Sequence, residues 1–161
     1  MELSGKNFYS GWKGIIFSLI FLVLTDCATF KTAKTSQNPQ IKLTGTRIAS
    51  ISLEKITFIM ETDISNPNDF PIKLLGGEYR FFINGVEIHG DKFPHISVLK
   101  PHKTKSFDTF VPFYEEKQTD ELLDALRDRT AKFKVILDLE FQYPEGRKRI
   151  HRVFIRPYKK Y

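Results

Sequence analysis

The chain predicts an all-β fold, an antiparallel sandwich of about seven strands with one short helix. Three observations lead there. Apolar residues recur with a period of two in several separate segments, the mark of a strand with one face on a core. Turn-forming runs separate those segments: Asn66-Pro67-Asn68-Asp69, Asn84-Gly85 and Pro144-Glu145-Gly146. Fifteen Phe and six Tyr supply side chains large enough to fill the space between two sheets.

In chain order, Ile48, Ser50 and Ser52 alternate with Ala49, Ile51 and Leu53, which predicts a first long strand. Ile56, Phe58, Met60, Thr62 and Ile64 alternate with a second set from Lys55 to Ser65, a strand that stops at Asn66-Pro67-Asn68-Asp69. Pro67 has no N–H to donate, and Asn and Asp side chains bond nearby backbone and tolerate left-handed geometry. Gly76-Gly77 reads as a loop pair. Residues 78–83 and 86–89 flank Asn84-Gly85, the strongest short-range hairpin signal, because a type I′ turn needs positive φ at both central positions. Phe107, Thr109, Val111 and Phe113 make another stripe. Thr119 caps a helix whose first turn carries Asp120 and Glu121 and whose apolar stripe is Leu122, Leu123 and Leu126, with Arg127 and Arg129 at its negative end. The cleanest alternation runs through Phe133, Val135, Leu137, Leu139, Phe141 and Tyr143. A last strand, residues 150–155, follows the Pro144-Glu145-Gly146 turn.

Before all of this stands a segment of another kind. Lys6 and Lys13 precede an uninterrupted apolar run, residues 15–24. About 20 apolar residues are needed to span a bilayer, whereas a secretory h-region needs about 7–15. Cys27, the sole cysteine, follows at once. A lone cysteine is ordinarily a buried thiol, but this one sits where apolar sequence gives way to polar. The arrangement resembles a bacterial lipobox, in which the cysteine becomes the acylated N-terminus; Asp26 departs from that pattern, which has a small residue there. A signal anchor and ordinary cleavage are the alternatives. The expected organisation is therefore a lipoprotein-type signal peptide over 1–26, a flexible tether over 27–40 and one folded domain over 41–161. With one cysteine the domain has no internal disulfide and relies on its core.

The net charge is +6. Lys6 and Lys13 offset Glu2 and Asp26, so the excess belongs to the remainder of the chain. Much of it lies in Arg147, Lys148, Arg149, Arg152, Arg156, Lys159 and Lys160, with no acid after Glu145. Basic residues on an edge strand discourage pairing with other chains; the functional alternative is contact with anionic headgroups or another envelope polyanion. Nucleic acid is not expected as a partner, since the chain carries an export-type segment and no RNA-binding constellation.

Nothing in the sequence assembles into a catalytic motif. His89, His95, His102 and His151 are scattered without zinc spacing. No nucleophile elbow occurs. Glu115-Glu116 and Asp120-Glu121 would point apart as neighbours in an element, and acids at a helix start already have a structural reason. The expectation is a non-enzymatic protein with no cofactor and no metal.

One segment carries a more specific signal. Ile64-Ser65-Asn66-Pro67-Asn68-Asp69-Phe70-Pro71-Ile72 is followed by a Tyr-containing hairpin. Asn66, Pro67, Asn68, Pro71, Tyr79, Asn84 and Gly85 together resemble the motif of the late embryogenesis abundant type 2 family, whose unit is the WHy (water stress and hypersensitive response) domain. The resemblance spans roughly residues 41–157. It implies an immunoglobulin/fibronectin-like sandwich and a protective role in desiccation, osmotic or other stress. With Cys27 it implies a lipoprotein of the cell envelope, at the outer membrane or periplasmic face. Its partners would be the membrane through the lipid anchor, anionic lipid or an envelope protein. The alternative is an adaptor module recognising a protein partner or a hydrophobic ligand.

Overall fold

In the computed structural model, residues 35–157 are described; the readings placed on Cys27, Lys159 and Lys160 lie outside them. Eight strands, one 3₁₀ turn and one helix follow in order. They are β1 (Gln40–Ile51), β2 (Lys55–Ser65), β3 (Ile72–Ile83), β4 (Val86–Phe93), β5 (Ser97–Leu99), β6 (Thr104–Tyr114), α1 (Asp120–Arg127), β7 (Lys132–Tyr143) and β8 (Gly146–Pro157). One sheet has the order β1-β2-β6; the other has the order β4-β3-β7-β8, with β5 also pairing with β3. All pairings are antiparallel. The architecture is the expected all-β sandwich.

The alternation translates directly into burial. Ile56, Phe58, Met60, Thr62 and Ile64 point inward from β2; Phe107, Thr109, Val111 and Phe113 from β6; and Phe133, Val135, Leu137, Leu139, Phe141 and Tyr143 from β7. Rings from both sheets meet between the sheets, toward one end of the sandwich. Phe58 lies 5.6 Å from Phe81 and 5.7 Å from Phe133, and Phe81 lies 5.6 Å from Phe133, spacings at which aromatic pairs attract beyond their burial. That cluster occupies space between the sheets that a ligand carried there would need.

Several boundaries differ from expectation, each for a local reason. β1 starts at Gln40, and Ser52 to Glu54 form a turn rather than continuing the strand, with Ser52 N–H donating to the Lys55 carbonyl at 2.9 Å. Register shifts between Leu43 and Gly45 and between Ile48 and Ser50 break the period of two in β1. Gly76 and Gly77 are not a loop: they lie inside β3 at a bulge after Leu74, with φ of 110° and 153°. A Cβ on Gly77 would sit 2.1 Å from the Asp138 carbonyl oxygen, so only glycine lets β3 approach β7 there. β5, three residues long, carries no periodic signal at all.

The helix is built as read. Thr119 accepts from Leu122 N–H, and Leu122, Ala125 and Leu126 are buried. Its end is a Schellman turn, with Thr130 N–H donating to Ala125 and Arg129 N–H to Leu126. Arg129 holds the left-handed position there, at φ 60°.

The strand directions give the sandwich two poles. Gln40, Ser65, Ile72, Leu99, Thr104, Tyr143 and Gly146 mark the incoming pole. Ile51, Lys55, Ile83, Tyr114, Lys132 and Pro157 mark the far pole.

Candidate functional site

The family-type motif sits at the incoming pole, where β2 must leave one sheet and β3 begin in the other. Asn66 is 1% exposed. Its side-chain amide donates to the carbonyls of Phe70 at 2.8 Å and Leu99 at 3.1 Å. Its Oδ1 accepts from the N–H and the side-chain amide of Asn68, both at 3.0 Å. Its backbone N–H donates to Lys103 at 3.0 Å. All the hydrogen-bonding capacity of that side chain is used inside the protein, which is what burial demands of an amide. Pro67 is half-buried between the two asparagines, and Pro71 is exposed one residue before β3.

Asn68 grips the arriving chain. Its Oδ1 accepts from Gln37 N–H at 2.7 Å, and its amide donates to the Gln37 carbonyl at 2.9 Å. A side-chain amide offering a donor and an acceptor side by side pairs with one residue's backbone as a neighbouring strand would. Pro39 is buried just beyond. Ser36 meets the β7–β8 turn, where Lys148 Nζ donates to Ser36 Oγ at 2.5 Å. The Ser36 hydroxyl, more than the Lys148 ammonium, holds the Glu145 carboxyl below its usual range. Residues 36–39, counted with the tether by composition, are thus bonded to the domain.

The hairpin residues also have structural partners. Asn84 and Gly85 adopt positive φ of 49° and 88°, as a type I′ turn requires. Asn84 additionally exchanges two bonds with Lys132, at 2.9 Å each. Tyr79 is buried in β3, and its hydroxyl reaches the Phe110 carbonyl on the free edge of β6 at 3.5 Å, a long contact. Burial pushes its ionisation up to about 12. His95 Nε2 lies 3.0 Å from the next carbonyl on that edge, Asp108.

The basic series of β8 is not a uniform positive plate. Register sets Arg147 opposite Gln142, Arg149 opposite Glu140 and His151 opposite Asp138. Arg149 reaches Glu78 at 3.3 Å, Arg147 reaches Glu140 at 3.6 Å, and Lys148 reaches Glu145 at 3.4 Å. Arg152 turns onto the His151 carbonyl at 2.9 Å; Arg156 lies exposed near the end of the strand. Acids of the β7–β8 hairpin and one distant in sequence, Glu78, therefore compensate part of what reads as one basic block. Beside them, a depression of about 360 Å³ over β3 and β4 is lined by Glu78, Glu87, Asp91 and Asp138 with Arg80 and Lys92.

The four histidines do not converge. His102 pairs with Asp69 at 2.8 Å, His151 with Asp138 at 2.8 Å, and His95 with backbone. His89 lies between the rings of Tyr79 and Tyr114, where burial lowers its pKa. Among the described residues, no three His, Cys, Asp or Glu are placed to hold a metal ion, and no helix is long and apolar enough to cross a membrane. Sequence reasoning missed a different set: Lys73, Lys100 and Lys103, dispersed along the chain, are exposed together at the incoming pole.

Compared with known proteins, the fold is shared while the sequence is not. No family model matches the chain, and no curated protein matches it in sequence. A solution structure from Arabidopsis thaliana superposes with TM-score 0.62 at 16% identity, covering 80% of this chain and 87% of its own. A protein provisionally assigned as late embryogenesis abundant (LEA) gives 0.52 at 15% identity, over 91% of this chain and 87% of its own. A provisional ApaA protein from Bordetella pertussis gives 0.55 at 10% identity, over 78% and 98%. At the level of fold, the resemblance to the LEA type 2 and WHy group holds.

Proposed function

We propose that this chain is a non-enzymatic, membrane-anchored envelope lipoprotein whose WHy-type sandwich protects against desiccation, osmotic or related stress. The observation that carries the reading is the LEA-type fold, joined in one chain to an apolar run over 15–24 and Cys27. The polar motif residues support a non-catalytic role, since Asn66, Asn68, Asn84 and Tyr79 are all engaged in holding backbone. Several acyl chains on one cysteine would make a lasting anchor, each buried CH₂ adding about 0.8 kcal/mol.

The test is metabolic labelling with a fatty acid. Wild type should be labelled and fractionate with membranes, and Cys27→Ser should be unlabelled and leave them. Absence of label in wild type sinks the lipoprotein reading. For the protective role, deletion should lower survival of drying or osmotic shock.

An adaptor role is the second reading, and one observation favours it. Among the described residues β8 pairs only with β7, and its outer half exposes Val153 at 46% and Ile155 at 70%. An open edge of that kind suits strand addition by a partner segment. A single stoichiometric partner crosslinked to β8 in membranes, with no survival defect on deletion, would favour it.

A further inference from the structure

The corner that grips the incoming chain also fixes a turn carrying two exposed lysines, Lys100 and Lys103. Lys100-Pro101-His102-Lys103 is a tight turn: Lys103 N–H donates to the Lys100 carbonyl at 3.2 Å, and His102 takes φ 53°. Asn66 fixes both sides of that turn through the carbonyls of Leu99 and Lys103. Lys73 lies at the same pole, at the second position of β3 and opposite Val98. Among the described residues these three lysines form no ion pair. The nearby acids are engaged elsewhere, Asp69 with His102 and Glu145 with Lys148. The far pole differs in sign around α1, where Glu115, Glu116, Asp120, Glu121, Asp124 and Asp128 outnumber Lys117, Arg127 and Arg129.

We propose that the incoming pole is a membrane-facing surface, with Lys73, Lys100 and Lys103 contacting the phosphates of anionic phospholipid. This rests on the anchored reading above. Eight residues lie between Cys27 and Ser36, and the nine steps from one to the other reach no more than about 30 Å at full extension. The grip on Gln37 and Ser36 ends that reach at the incoming pole, so the basic pole is the one held nearest the headgroups. A lysine at an anionic surface is attracted only within about a Debye length. Two lysines on a turn fixed by a buried asparagine, with Lys73 at the same pole on β3, therefore orient the domain, with the acidic surface around α1 turned away.

The full chain should be reconstituted with vesicles of phosphatidylcholine alone, and of phosphatidylcholine with about a third phosphatidylglycerol. Flotation and lysine acylation footprinting are then read on the same samples. The expected result is flotation on both, with labelling of Lys73, Lys100 and Lys103 slowed at least about threefold on the anionic vesicles alone, and restored by high salt. Lys55 and Lys117 at the far pole should label equally on both. K100E/K103E, at exposed positions, should keep flotation and lose the protection of Lys73. Flotation on both without protection overturns the proposal and leaves the anchor standing. Flotation only on anionic vesicles, with protection, overturns the anchor and supports the surface. Flotation on neither overturns both. Protection in native membranes that is missing from anionic vesicles assigns the pole to a protein partner and overturns the lipid claim.

Discussion

Replacing Asn66 tests whether the corner is architecture. Alanine there removes four side-chain hydrogen bonds and leaves the Asn68 N–H and the carbonyls of Phe70 and Leu99 without partners. A buried group left unsatisfied costs about 1–3 kcal/mol. The Phe70 contact is only part-buried and regains some water, so the sum is roughly 3–4 kcal/mol. Asn66→Asp has nearly the same shape and keeps the two acceptor contacts, but turns a carboxylate oxygen toward two carbonyls. Its cost at neutral pH should equal or exceed that of alanine. The fold disfavours that charge, so the folded-state pKa of the introduced acid is raised above its unfolded value. Its stability should therefore recover as pH falls through the folded pKa and be lost again as pH rises. Urea unfolding followed by far-ultraviolet circular dichroism gives both numbers, for a single domain small enough to unfold in one step. Two variants within about 1 kcal/mol of wild type, with no pH difference between them, would refute the corner as a structural clamp.

Three other outcomes follow from the geometry. Gly77→Ala places a Cβ 2.1 Å from the Asp138 carbonyl and 2.8 Å from Leu139 Cα; the loss should be at least about 3 kcal/mol in the same assay. Arg129→Gly should raise stability by roughly 1 kcal/mol, because the left-handed Schellman position costs a residue with a Cβ about that much; calorimetry will show it as a higher Tm. Burial lifts Tyr79 and Tyr143 from 10.0 to about 12. Their neutral forms are favoured in the fold, so stability is intact below pH 10, falls between about 10 and 12 as the unfolded chain ionises first, and levels beyond. Ultraviolet difference titration should show two tyrosines ionising near pH 12 while the protein remains folded.

What the sequence made legible was whatever one segment decides alone. The alternation in β2, β6 and β7, the Asn84-Gly85 hairpin and the Thr119 cap each follow from a handful of adjacent residues. Gly76 and Gly77 misled because glycine reads as a breaker, whereas here it admits a neighbouring backbone that no local pattern announces. The β8 arginines misled in the same way, since Glu78 becomes a neighbour of Arg149 only through the β3-β7-β8 register. The Asn-Pro-Asn turn was visible as a turn, but its partners were not: Gln37 lies 31 residues from Asn68, and Leu99 lies 33 from Asn66. The lysines of the incoming pole are scattered in sequence and gathered only by the topology.

The grip of Asn68 on Gln37 also decides how the domain would bear a pull. Tension arriving along the chain meets the two Gln37 bonds before it reaches any strand, and Asn66 passes that load to Leu99, Phe70 and Lys103. Beyond Gln37, β1 runs lengthwise against β2, from Gln40 opposite Ser65 to Ile51 opposite Ile56. Force along that axis shears the ladder, so its hydrogen bonds resist side by side and do not peel one at a time. The corner is thus a mechanical clamp, and cutting it with Asn68→Ala would lower the force at which β1 slides free.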